Sequence, residues 1–205
     1  GEFGAGEPIQ PGGDAGVAVL SITRSGWRDF DLNVELLGPN WTVPRPIQLF
    51  ARSRSRDWPG DAESDVTRPE SPEGRLVVLR LVPGTYRIER WSGTSRVGGS
   101  WGDGYEVVGQ ELGVSFQVER GAVTYAGNLN LALPAQLNYQ ANLMPSTYQY
   151  EAKPQPERDL AVLRAKYPGL AAERLRTEPI QGRRAGEPLR YYVYNYKAGD
   201  IPEPP

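Results

Sequence analysis

Apolar residues recur at every second position over much of this chain and at every third or fourth position in one late stretch. That pattern predicts many strands and a single helix. Gly16 to Ile22 (GVAVLSI) is a compact β-branched run and reads as a buried strand. From Asp29 to Leu36 the alternation is strict: Phe30, Leu32, Val34 and Leu36 face one way, and Asp29, Asp31, Asn33 and Glu35 the other. One face is therefore buried and one wet. Ile47 to Arg52 is a third strand, after Pro39, Pro44 and Pro46. Arg75 to Leu81 and Thr85 to Trp91, joined by Pro83-Gly84, read as a hairpin. Val114 to Glu119 and Ala122 to Leu133 follow, the second on the alternation of Val123, Tyr125, Gly127, Leu129 and Leu131. Thr147 to Glu151 alternates as well, and Arg190 to Lys197 reads as a late edge strand.

Leu160, Leu163, Tyr167 and Leu170 fall at helical spacing, which places a helix over Glu157 to Lys166. Pro168-Gly169 stops it, and a further helical turn is expected over Ala171 to Arg176. Two stretches break the pattern. Ser53 to Gly74 is polar and longer than the roughly 12–15 residues compact domains use for a plain connection. Ser92 to Tyr105 is dense in glycine around Trp101. The expected fold is mainly β: an antiparallel β-sandwich, transthyretin-like or immunoglobulin-like, with a short C-terminal helix and tail. Residues 1–15 read as a flexible lead-in, 16–153 as the sandwich, and 154–205 as an appendage packed on it. The opening Gly1-Glu2-Phe3, without Met, reads as a cloning remnant that replaces a native targeting segment.

Composition supports this and narrows the chemistry. Gly supplies 24 and Pro 19 of the 205 residues, the loop-rich balance of a sandwich or barrel. A net charge of -2 creates no field that would favour nucleic acid or an anionic membrane. No window holds eighteen uninterrupted apolar residues, so no transmembrane span is expected in the chain. There is no His and no Cys, which removes the commonest general base, the commonest transition-metal ligands, thiol nucleophiles and disulfides.

Motifs for other chemistries fail on particular residues. Asp29-Phe30-Asp31-Leu32-Asn33 begins like a calcium loop, but Val34 stands where the turn glycine is needed and Asn40 where the bidentate Glu belongs. It reads as the wet face of a strand. No Ser or Thr stands three residues before Lys153, Lys166 or Lys197, and Gly102-Asp103-Gly104 lacks the third glycine of a dinucleotide site. The loop carboxylates Asp57, Asp61, Glu63 and Asp65 could serve glycoside hydrolysis only at separations the sequence does not specify. No catalytic residue, metal site or cofactor is expected.

Binding candidates are aromatic and basic. Trp58 lies in the long polar loop, and Trp101 and Tyr105 lie in the glycine-rich one, where flat apolar faces suit sugar rings or a protein partner. Arg54 and Arg56 alternate with serines beside Trp58 and could line an anion-binding edge, although Asp57 and Asp61 offset their charge. Trp27, Trp41 and Trp91 flank strands and are expected in the core.

The turn Val82-Pro83-Gly84-Thr85-Tyr86, the strand end Val118-Glu119-Arg120-Gly121, the segment Tyr125-Ala126-Gly127-Asn128-Leu129, and Glu157-Arg158-Asp159 through Lys166-Tyr167-Pro168-Gly169-Leu170 form an ordered set. With the glycine-rich loop, this set resembles a group of uncharacterised proteobacterial envelope lipoproteins, over about half the chain. The resemblance implies a transthyretin-like or immunoglobulin-like sandwich on a lipid-anchored periplasmic protein, and no catalytic residues. The lipid-accepting Cys of that group is absent here. The expected function is a non-catalytic interaction or structural module, with an unknown protein or an envelope glycan as partner, no nucleic acid, and membrane contact only through such an anchor. The alternatives are a carbohydrate- or peptidoglycan-binding or -processing protein using loop aromatics and carboxylates, and an envelope inhibitor or immunity protein that plugs a partner with Ser53 to Gly74.

Overall fold

A computed structural model describes residues 1–26, 31–39, 46–51, 73–96, 103–133, 146–170 and 175–197. The chain is mainly β, with twelve strands and one helix among the described residues, and its mixed sheet nearly closes into a barrel. One wall holds β1 (Gly16–Ser25), β4 (Glu73–Leu81), β8 (Val123–Ala132), β9 (Ser146–Lys153) and β10 (Leu175–Thr177). The other holds β2 (Asp31–Leu37), β3 (Ile47–Ala51), β5 (Gly84–Arg96), β6 (Asp103–Gly109), β7 (Val114–Val118), β11 (Gln181–Gly182) and β12 (Leu189–Lys197). β9 joins the walls, pairing with β8 through Gln149–Lys153 and with β12 through Ser146–Tyr148.

Several strands match their sequence patterns. On β2, Leu32, Val34 and Leu36 are buried while Asp31, Asn33 and Glu35 are half-exposed, as alternation requires. Nine of the ten residues of β1, and likewise of β8, are buried on both faces, the mark of strands covered from two sides. Trp91 is fully buried, against Tyr148 in an edge-to-face contact at 4.9 Å. A Cβ on Gly109 would sit 2.0 Å from Trp91 Nε1, so the bare backbone of Gly109 makes room for the indole. Trp27 and Trp41 lie outside the described residues.

Other expectations are corrected. The sheet is mixed: β1 and β8 run parallel, and so do β10 and β8. Alternation reports which face is buried but not strand direction, and the long segment between β1 and β8 supplies the crossover a parallel pair needs. β4 and β5 do not form a hairpin. One edge of β4 is taken by β1 and the other by residues 1–3, so Val82-Pro83 carries the chain to the opposite wall, where Tyr86 OH donates to Val82 O at 2.9 Å. β12 is not an edge strand at its start, since Leu189–Tyr191 pairs with β9 while Tyr191–Lys197 pairs with β6. Much of the glycine-rich stretch is strand rather than loop: β5 continues to Arg96 and β6 begins at Asp103. Leu175 and Arg176 belong to β10, not to a helical turn.

The most consequential correction is on β8. The register against β1 shifts so that Val19 pairs with Tyr125 and Leu20 with Gly127, leaving Ala126 as a bulge. Gly127 has φ 105°, a conformation that side-chain-bearing residues rarely adopt. The extra residue inverts the parity of the strand. Val123 and Tyr125 face outward, whereas Leu129 and Leu131 face the barrel interior, and Asn128 and Asn130 take the outward face.

The outward face of the β1–β4–β8 wall is covered by α1 (Pro156–Lys166), which has Pro at its start, Glu157 and Asp159 in its first turn, and Arg164 and Lys166 in its last. Leu160, Leu163, Tyr167 and Leu170 join an apolar layer with Val17, Val19, Leu76 and Val78, as the helical spacing requires. Phe3 and Ile9, in the stretch expected as a flexible lead-in, are buried in the same layer.

Candidate functional site

Four of the five residues singled out for binding, Trp58, Trp101, Arg54 and Arg56, lie outside the described residues. Tyr105 lies on β6, its backbone paired with Ser95 and Asn195. The ladders nevertheless order the strand ends bordering those segments. Arg24 pairs with Glu73, Ser25 with Ala132, Leu32 with Ala51, Asp31 with Thr94, and Arg96 and Asp103 with Gly104 and Lys197. The strand ends bordering residues 52–72 and 97–102 thus fall at one end of the barrel, with those bordering 26–30 and 198–205.

Beneath α1 lies a cluster that sequence reasoning did not single out. The β8 bulge brings Tyr125, Asn128 and Asn130 onto the face where β1 presents Ser21 and Thr23, and α1 lowers Asp159 onto them. Asp159 is 1% exposed. Its Oδ2 accepts from Ser21 Oγ and from Tyr125 OH, both at 2.7 Å, and its Oδ1 accepts from Arg158 Nε at 2.8 Å. Ser21 Oγ in turn accepts from Asn128 Nδ2 and Arg158 Nη2, both at 2.9 Å. Thr23 Oγ1 donates to Asn130 Oδ1 at 2.9 Å and accepts from Asn128 Nδ2 at 3.0 Å. Tyr125 OH also accepts from the Gln155 N–H at 2.9 Å, tying the chain just before the helix to the sheet.

Burial, then the hydrogen bond and charge of Asp159, push the Tyr125 hydroxyl up from its ordinary value, so it stays protonated and donates. A buried carboxylate is tolerated here because both of its oxygens are bonded and a guanidinium lies alongside. Ser21 is wholly buried and saturated with hydrogen bonds, with no imidazole to take its proton. The arrangement clamps a helix onto a sheet, and no substrate atom could approach Ser21 Oγ without breaking it. The sequence signal for the cluster was polar residues at Ser21, Thr23, Asn128 and Asn130 inside strongly β-forming runs.

A cleft of about 440 Å³ opens beside this layer, between Gln10, Arg120, Val123, Leu170 and Arg176. Its two guanidinium groups are paired, Arg120 with Asp14 at 2.6 Å and Arg176 with Glu119, which leaves little net charge to attract an anion. Among the described residues no three His, Cys, Asp or Glu gather where they could hold a metal ion, and no helix is long and apolar enough to cross a membrane.

Fold and site together define a near-closed mixed-sheet barrel with one helix clamped to its outer wall. No family model, curated protein or solved structure matches the chain.

Proposed function

We propose that this protein is a non-catalytic interaction module of a bacterial envelope, similar to the uncharacterised lipid-anchored periplasmic proteins it resembles in sequence, and that it binds through the barrel end bordering the Trp58 and Trp101 segments. Trp58, Trp101 and Tyr105 supply flat apolar faces, and Arg54 and Arg56 supply donors. The two walls of the barrel correspond on this reading to the facing sheets of a transthyretin-like or immunoglobulin-like sandwich. The observation that carries it is the strand register, which brings the ends bordering residues 52–72 and 97–102 to one end of a hydrogen-bonded scaffold. Segments gathered at one end of a rigid sheet are where such scaffolds bind.

Titration with muropeptides and envelope glycans should change tryptophan fluorescence, and Trp101→Ala should remove most of the change. A panel that produces no change in the wild-type protein would count against the proposal. Turnover of a glycan that Asp61→Asn or Asp65→Asn eliminates would replace binding by processing.

A further inference from the structure

The cleft beside the helix layer is assembled from four separate stretches of chain. β7 turns into β8 through Arg120-Gly121, where Gly121 has φ 67° and its N–H donates to Ala15 O at 2.9 Å, while the Val17 N–H donates to Ala122 O at 2.9 Å. The turn is thereby fastened to the start of β1. β10 runs parallel to β8 and sets Arg176 opposite Thr124, and α1 ends in a turn in which the Leu170 N–H donates to Tyr167 O at 3.0 Å. Ile9 arrives from the segment before β1 and is buried with Val123 in the apolar layer that Leu170 packs against. Along the parallel pair, Val17 pairs with Val123 at one end and Ser25 with Ala132 at the other. The cleft therefore lies at the far end of this wall from the strand ends that border the Trp58 and Trp101 segments.

Its lining divides into two chemistries. Ile9, Val123 and Leu170 give an apolar side, and the charged side chains that line the cleft are both basic, Arg120 and Arg176. Their acidic partners, Asp14 and Glu119, stand outside the lining, and each engages its arginine through Nη1. The pairs cancel the long-range field at the mouth. They hold the arginines weakly, however: the Arg120 and Asp14 side chains are 68% and 87% exposed, and ion pairs that open to water shift an equilibrium by at most a factor of about five. At short range a carboxylate can take the Nε and Nη2 fork of either guanidinium, the geometry in which arginine recognises a planar oxyanion. The volume, about 440 Å³, falls within the roughly 300–1,000 Å³ of sites that enclose small ligands.

We propose that this cleft binds a small amphiphilic carboxylate, its head held by Arg120 and Arg176 and its unbranched apolar chain laid along Ile9, Val123 and Leu170. Apolar contact supplies most of the affinity, because the net field is small, and the guanidinium groups select the anion. The site depends on neither the barrel end nor a glycan ligand.

The test is calorimetric titration of the full chain with decanoate below its micellar concentration. Binding should tighten about tenfold with each extension from hexanoate to octanoate to decanoate, since a fully buried methylene is worth a factor of about four. Decyltrimethylammonium should bind at least about tenfold more weakly than decanoate. The double variant Arg120→Ala/Arg176→Ala, whose exposed positions leave the circular dichroism unchanged, should weaken decanoate binding about tenfold. Asp14→Asn/Glu119→Gln should strengthen it about threefold, because the ligand then meets no competitor for the guanidinium groups. Trp101→Ala should leave it unmoved, so a failed glycan titration and a failed decanoate titration are separate results. No heat at millimolar decanoate, equal binding of the cationic and anionic amphiphiles, or indifference to the arginine double variant overturns the proposal. Loss of decanoate binding in Trp101→Ala would move the site to the other end of the barrel and overturn it as well.

Discussion

The barrel interior and the layer beneath α1 bury similar side chains from the same strands by different means. In the interior, Leu20, Val34, Ile88 and Leu131 pack around Trp91, and two of the tyrosines there send their hydroxyls to main-chain carbonyls: Tyr148 to Gln110 O at 2.8 Å and Tyr150 to Leu112 O at 3.0 Å. The layer under α1 is apolar around Val17, Val19 and Leu163, then turns polar at Ser21, Thr23, Tyr125, Asn128 and Asp159. Apolar burial is non-directional and accepts many arrangements of similar volume. A carboxylate bonded to a serine, a tyrosine and an arginine accepts only one. The interior therefore supplies most of the stability, and the outer layer fixes where the helix sits.

Truncation separates the two regions. Trp91→Ala empties the largest buried volume in the interior and should cost about 4 kcal/mol, read as a lower urea midpoint by circular dichroism. Asp159→Ala should cost about 3 kcal/mol, because it strands the Ser21 and Tyr125 hydroxyls and a partly buried guanidinium. The two losses differ in kind. Hydrogen exchange should show Asp159→Ala raising exchange across residues 156–166 first, whereas Trp91→Ala weakens the whole sheet. If Asp159→Ala loosens β5 and β6 as much as it does α1, the outer layer is not a separate fastening.

Alkaline titration sharpens the same contrast with an effect of roughly 2 kcal/mol. Burial pushes Tyr148 from 10.0 up to about 12, and Tyr125 is raised by burial and then by Asp159. The folded state keeps protons that the unfolded chain releases. This contribution is intact below pH 10 and is lost as pH rises toward 12. Asp159→Asn should lower the Tyr125 value and leave Tyr148 unmoved, as read by tyrosinate absorbance in Tyr125→Phe and Tyr148→Phe backgrounds.

Local patterns were most readable where one physical cause dominated. Leu32, Val34 and Leu36 are buried as alternation demanded, and the stripe through Leu163 and Tyr167 docks as helical spacing demanded. Reading failed where a single residue changed parity or pairing. The alternation from Val123 to Leu131 implied one face, but the bulge at Ala126 splits it between two, and a glycine in a strand is a weak signal for where such a bulge falls. Pro83-Gly84 signalled a reversal and could not reveal that both edges of β4 were taken. The aromatic and basic binding candidates were legible as residue types, and register adds only the common end of the barrel that their segments border.

By itself, the sequence determined a strand-rich chain with one helix, because periods of two and of three to four are properties of neighbouring residues. It also determined, through the absence of His and Cys, which side-chain chemistries the chain lacks. The tertiary structure alone decided that β1 and β8 run parallel, that Asp159 meets Ser21 across 138 positions of chain, and that Phe3 lies against the edge of β4. Those contacts depend on which edges and faces remain free once the rest of the chain has folded, and no local pattern carries that information.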